Sequence, residues 1–197
     1  MRTSETPDAR RRHIGEAVWR IIRRDGISAV STRAVAAEAD MALGSLRHYF
    51  PRQSDVLAFA MQLVVDRTAR RIEHLTATAR DGAPDAQLVL EQYLPLDDER
   101  REEMEVWLAF VGATLADEEL EPAKRAWDDG MLAVVRQVVA SVSRPGTSSA
   151  ALDLAADRLR ALIDGLAAHL VGRHPALDGG RARAIVADEL ARLGASR

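Results

Sequence analysis

The sequence predicts an all-α protein, and three observations carry that prediction. Ala, Leu, Arg and Glu dominate, while long alternating β-branched segments are missing. Apolar residues recur at three- and four-residue spacing in one segment after another. Between these segments stand turn signals, among them Asp25-Gly26, Asp81-Gly82-Ala83-Pro84 and Pro145-Gly146. With 197 residues the chain can bury a sizeable core in one or two compact units.

The first helix shows Ile14, Ala17, Val18, Ile21 and Ile22 on one face and stops at Asp25-Gly26. Residues 31–50 then read as two very short helices joined by a tight turn, the outline of a DNA-reading helix-turn-helix. Ser31 or Thr32 caps the first, and Val35 and Ala36 give it a small apolar face. At Asp40 the apolar rhythm breaks, and Asp is among the few residues besides Gly that tolerate positive φ. Leu46 and Phe50, four apart, supply the buried side of the second helix. Its outer face keeps Leu43, Gly44, Ser45, Arg47, His48 and Tyr49. Gly44 permits close approach of a backbone, while Ser, Arg and His offer hydrogen bonds to base edges and phosphates. Taken alone, the same residues also fit a surface αα-hairpin with an ordinary polar face.

The stretch from about Ala9 to Leu57 resembles the tetracycline-repressor (TetR) family of bacterial transcription regulators. Gly26, Val35, Ala36, Ala39, Gly44, Leu46, Phe50 and Leu57 meet its pattern. Asp40 stands where Gly is usual, Ala42 replaces a Ser cap, Arg47 replaces Tyr, Tyr49 replaces His and Gln53 replaces Lys. Losing the hydroxyl at Ala42 weakens the helix cap by about 1 kcal/mol. The missing lysine removes a phosphate contact for which the adjacent Arg52 is the substitute. The resemblance implies a three-helix DNA-binding domain over residues 8–56, with double-stranded operator DNA as its partner. It places Thr32, Arg33, Leu43, Gly44, Ser45, Arg47, His48, Tyr49 and Gln53 toward the duplex. It further implies a ligand-binding and dimerisation domain over 57–197, and repression as the output.

Charge agrees with a DNA-facing head. The whole chain is slightly acidic, with 27 Lys and Arg against 30 Asp and Glu. Residues 1–55, however, carry 10 basic and 7 acidic side chains, and the remainder carries 17 and 23. Arg10, Arg11, Arg12, Arg20, Arg23 and Arg24 cluster on or beside the first helix, as a phosphate clamp would.

Further on, Val56, Leu57, Ala60, Leu63, Val64, Ile72 and Leu75 trace a long amphipathic helix from Gln53 to about Arg80, stopped near Asp81-Gly82-Ala83-Pro84. Residues 85–94 form a shorter helix ending at Pro95. From Asp97 to Ala116 an acidic start precedes the stripe Met104, Trp107, Leu108, Val111 and Leu115. Roughly Glu118 to Ser141 follows with Trp127, Met131, Val134, Val135 and Val138 inward, and Ser143–Ser149 is the clearest loop.

The segments Leu94–Arg100, Glu105–Phe110 and Ala161–Leu166 carry a second resemblance, to the C-terminal domain of BetI-like regulators within the same family. It implies an unidentified small-molecule effector. Of only eight aromatic residues, Tyr93, Trp107, Phe110 and Trp127 fall where the resemblance puts the pocket. Trp107 and Phe110, three apart, can share a face, and such rings would cage a cation. Core packing is the competing account of each. Glu102, Glu103 and Glu105 read as solvated or helix-capping acids rather than ligand anchors.

Leu152, Ala155, Leu159, Leu162, Ile163, Leu166 and Leu170 recur on the next helix, and Ile185, Val186, Leu190 and Leu193 on the last. The family resemblance implies that these two helices pair with their symmetry mates in a homodimer; burial within one subunit is the alternative. A helix-turn-helix this small also needs two half-sites, as twofold readers do.

Other classes fit less well. With no cysteine, disulfides and thiolate chemistry are excluded and a reducing, cytoplasmic location is expected. The polar start lacks the apolar stretch of a signal peptide, and no apolar run reaches membrane-spanning length. HExxH, GxSxG, Walker and dinucleotide signatures are absent. His169, His174 and Asp178 straddle a helix end and a Pro turn, a poor metal spacing. No catalytic residue, metal or cofactor is therefore assigned. An all-helical small-molecule-binding protein or enzyme without DNA binding would leave the basic, glycine-containing recognition helix unexplained.

Overall fold

A computed structural model describes residues 6–79, 84–172 and 174–195. Nine α-helices lie among the described residues: α1 (Pro7–Asp25), α2 (Thr32–Glu38), α3 (Leu43–Tyr49), α4 (Gln53–Thr78), α5 (Ala86–Leu90), α6 (Asp98–Thr114), α7 (Glu121–Val142), α8 (Ser149–Leu170) and α9 (Gly179–Ala195). No strand occurs among them. Of the stop signal expected at Asp81-Gly82-Ala83-Pro84, residues 81–83 lie outside the described residues. Two compact units are built from this chain, one from Met1–Asp66 and Glu105–Arg125, the other from Arg67–Met104 and Ala126–Arg197. The helices α4, α6 and α7 each supply residues to both. No helix of the described residues is long and apolar enough to cross a membrane.

In the first unit α1 starts under a Thr6 cap and ends at Gly26, whose φ of 82° suits glycine. Ile14, Ala17, Val18 and Ile21 are buried with Val35, Ala36, Leu46, Phe50, Val56 and Ala60. Each large apolar side chain so buried contributes about 1.5–3 kcal/mol. Trp19, which the apolar spacing alone had not singled out, is also buried and donates its indole N–H to the Ala60 carbonyl at 2.9 Å. Gly15 lets α4 come close, since a β-carbon there would collide with the Leu63 side chain.

In the second unit α8 and α5 both pack on α9. Asp85 caps α5 and Ser148 caps α8. The stripe expected at a dimer interface divides, with Leu152, Ala155, Leu162, Ile185, Leu190 and Leu193 half-buried. Leu159, Ile163, Leu166, Leu170 and Val186 are buried inside the single chain. The opposite faces of α8 and α9 are the exposed ones, with Ala151, Leu154, Ala161, Gly165, Ala168, Ala184, Ala187 and Ala191.

The expected stripe of α6 is also corrected. Leu115 is 89% exposed, Trp107, Leu108 and Val111 are half-buried, and the buried residues are Glu103, Met104, Val106 and Phe110. Glu103, expected to be solvated, is only 4% exposed. Its carboxylate accepts two hydrogen bonds from the Arg71 guanidinium, at 2.7 and 3.0 Å. Burial still pushes the Glu103 carboxyl above the usual range, against the pull of Arg71. On α7, Val139 is buried where Val134 was expected.

Candidate nucleic-acid interface

The local chemistry of residues 31–50 produces two seven-residue helices held by their neighbours, since helices this short are not stable alone. Ser31 caps α2 by accepting from the Ala34 N–H at 3.1 Å. The turn between the helices is made by Asp40, with φ of 49°, and closed by the Met41 N–H donating to the Ala36 carbonyl at 2.8 Å. At the start of α3, Ala42 provides no side-chain cap, as its lost hydroxyl requires. Leu46 is fully buried and anchors the helix, with Phe50 buried just beyond it.

That anchoring leaves Gly44, Ser45, Arg47 and His48 exposed and Leu43 and Tyr49 half-buried. The His48 and Tyr49 rings meet edge to face, with centroids 5.6 Å apart. Ser45 and Arg47 spend no side-chain hydrogen bond or ion pair on the described residues. A β-carbon at Gly44 would meet nothing within 4 Å, so internal packing does not demand glycine there. On α2, Arg33 is exposed and Thr32 half-buried.

The arginine clamp expected along α1 is corrected in some of its members. Glu38, at the end of α2, accepts from Arg20 at 2.8 Å and from Arg24 at 3.0 Å. These two hydrogen bonds, that of Arg20 foremost, hold its carboxyl below the usual range. Arg20 and Arg24 thus fasten α1 to α2. Arg11 lies over the Phe50 ring, 5.9 Å from its centroid. Arg52, the expected stand-in for a lysine, is likewise engaged, pairing with Asp55 at 2.8 Å and Glu119 at 2.7 Å. Glu119 also accepts from the Ser54 hydroxyl at 2.6 Å. The Gln53 side chain donates to the Val30 carbonyl, tying the start of α4 to the helix-turn-helix. The partners of Arg24 and of Arg52 on Glu119 had no signal in local spacing, because 14 and 67 residues separate the pairs.

Of the four aromatic residues expected in an effector pocket, the structure brings two together. Tyr93 and Trp127 are 8% and 7% exposed and meet edge to face at 5.9 Å, both in the second unit. Burial pushes the Tyr93 phenol up to about 12. Its hydroxyl makes no hydrogen bond with the described residues. Trp107 and Phe110 belong to the first unit. Among the described residues no cluster of His, Asp or Glu is arranged to hold a metal ion.

A capped, seven-residue supporting helix, a left-handed turn and a seven-residue exposed helix define a helix-turn-helix regulator. The chain belongs to the TetR family: residues 82–195 match the model of the BetI-type transcriptional repressor C-terminal domain. The HTH-type transcriptional regulator PksA of Bacillus subtilis is 37% identical over 82% of this chain and 78% of its own length. A transcriptional regulator of Saccharomonospora viridis, solved in complex with choline, is 26% identical with a TM-score of 0.70, over 90% of this chain and 93% of that one. The multidrug binding protein EbrR complexed with ethidium is 26% identical with a TM-score of 0.66, over 91% and 98%. The protein is a transcriptional regulator.

Proposed function

We propose that this regulator is an effector-responsive repressor that binds a palindromic operator as a homodimer. The observation that carries the reading is the exposed face of α3. Ser45 and Arg47 stand there with no partner among the described residues, on a helix fixed from behind by Leu46. Such donors fit base edges, and Gly44 fits close backbone approach. Thr32, Arg33, Leu43, His48 and Tyr49 flank them, and Gln53 sits at the next helix start. The homodimer reading rests on the exposed small-residue faces of α8 and α9, which allow close helix approach. A mobility-shift assay with DNA upstream of the protein's own gene should give one specific complex, and sedimentation at micromolar concentration should give a dimer. A sequence-indifferent shift would overturn the operator reading, and a monomer the twofold one.

The effector is a small organic cation that engages the Tyr93–Trp127 pair through cation–π attraction. Choline and ethidium, the ligands of the two structural neighbours, are both cations. Helix α4, which runs from beside the helix-turn-helix into the second unit, is one covalent route from effector to operator, alongside α6 and α7. Choline or ethidium should therefore release operator DNA, and operator DNA should weaken cation binding by the same factor. A Trp127→Leu variant of unchanged unfolding midpoint should bind ethidium about tenfold more weakly, roughly the effect of one cation–π contact of about 1–2 kcal/mol. Unchanged affinity would remove the aromatic pair from the site.

A further inference from the structure

The second unit contains a cleft that neither the operator nor the aromatic pair uses. It has a volume of about 620 Å³ and is lined by Arg67, Arg70, Arg71, His74 and Leu75 of α4, with Gln92 and Glu99 opposite. Positions 67, 70, 71 and 74 stand at i, i+3, i+4 and i+7, so three guanidiniums and an imidazole share one helix face. Arg71 is fully committed: Glu103 takes both terminal nitrogens, Gln92 accepts from Nε at 3.2 Å and Thr68 from Nη2 at 3.1 Å. That network fixes one wall of the cleft. Arg70 and His74 are exposed and make no side-chain hydrogen bond or ion pair with the described residues, Glu73 of the same helix included.

The single acid on the lining, Glu99, is 3.9 Å from Arg71 and largely exposed. Glu103 answers Arg71 and also attracts Arg67, so the basic side chains left to meet a ligand are those of Arg70 and His74. A helix that gathers like charges on one face carries local repulsion that an anion would relieve. Guanidinium forks match carboxylate and phosphate oxygens, and Leu75 offers an apolar surface to the rest of such a molecule. The volume is in the range of small-molecule sites.

We infer that Arg70 and His74, in this cleft of α4, bind a small organic anion, through a carboxylate or phosphate group. The cleft lies on the helix that also bears the contacts of Gln53 and Ser54 beside the helix-turn-helix. The proposed cation engages Tyr93 and Trp127, which lie on other elements, so the two sites are separate.

The test uses the full chain, with unfolding midpoint and calorimetric binding as readouts, so operator binding is not required. Inorganic pyrophosphate and butyrate are the probes, at constant ionic strength set with chloride. One or both should bind and raise the midpoint, and which does so identifies the group recognised. An Arg70→Gln/His74→Gln variant should keep the wild-type midpoint without probe, because neither side chain is used internally, and should bind at least tenfold more weakly. Absence of binding by both probes overturns the proposal. Equal affinity in wild type and variant overturns it too. So does a variant that ignores both probes but loses affinity for every DNA sequence, which would make the cleft a polyanion surface.

Discussion

Replacing Leu159 by Glu is expected to unfold the second unit rather than to dissociate a dimer. Leu159 is 0% exposed within the single chain and belongs to the buried set with Ala156, Ile163 and Val186. Truncating a buried leucine costs about 2–5 kcal/mol, and an unpaired buried carboxylate adds to that. The total approaches the whole stability of a domain, about 5–15 kcal/mol. Urea unfolding followed by circular dichroism should show a midpoint that falls steeply or is lost. Leu154, earlier on the same helix and 52% exposed, is the informative contrast. Leu154→Glu should keep the fold and weaken self-association, seen as monomer in sedimentation and reduced operator affinity. A folded Leu159→Glu dimer would contradict the burial argument, and a fully dimeric Leu154→Glu would remove this stretch of α8 from the interface.

Replacing Arg47 by Ala is expected to weaken operator binding by about 1–3 kcal/mol, roughly 5- to 150-fold, if the guanidinium reads a base. The fold should be untouched. Arg47 is exposed and has no partner among the described residues, while Leu46 and Phe50 hold α3 in place. Mobility shifts with the operator and with scrambled DNA separate two roles. A loss confined to the operator assigns base reading, and an equal loss on both assigns a phosphate contact. Full affinity for both would exclude Arg47 from the interface. Arg20→Ala would behave differently, because that side chain fastens α1 to α2 through Glu38.

The helix-turn-helix was legible because short-range chemistry decides it. Asp40 adopts the positive φ its side chain tolerates, Ser31 caps, Ala42 does not, and Leu46 and Phe50 turn inward. On α6 the reading failed for a physical reason. Its apolar residues surround the helix, so periodicity did not select a face, and Glu103 is buried by a partner 32 residues away. On α8 the two apolar faces could not be ranked from spacing. Leu159, Ile163, Leu166 and Leu170 went into the chain's own core together with Ala156 and Ala167, while Ala151, Leu154, Ala161 and Ala168 stayed outside. The basic face of α4 was legible as Arg67, Arg70, Arg71 and His74, but the cleft depends on Gln92 and Glu99 brought alongside by the fold.

The acid partners of the arginines bear on how ions leave the DNA. Each phosphate that a protein neutralises releases condensed counterions, and affinity falls with salt by a power near 0.9 per contact. Arg20 and Arg24 already face Glu38, and Arg52 already faces Asp55 and Glu119. A guanidinium that exchanges one carboxylate for a phosphate leaves that carboxylate to collect cations from solution. The ion release on the DNA is then offset by uptake on the protein. Operator binding by this head is therefore expected to depend less on ionic strength than its ten basic side chains would suggest, which a mobility-shift titration at several salt concentrations would check.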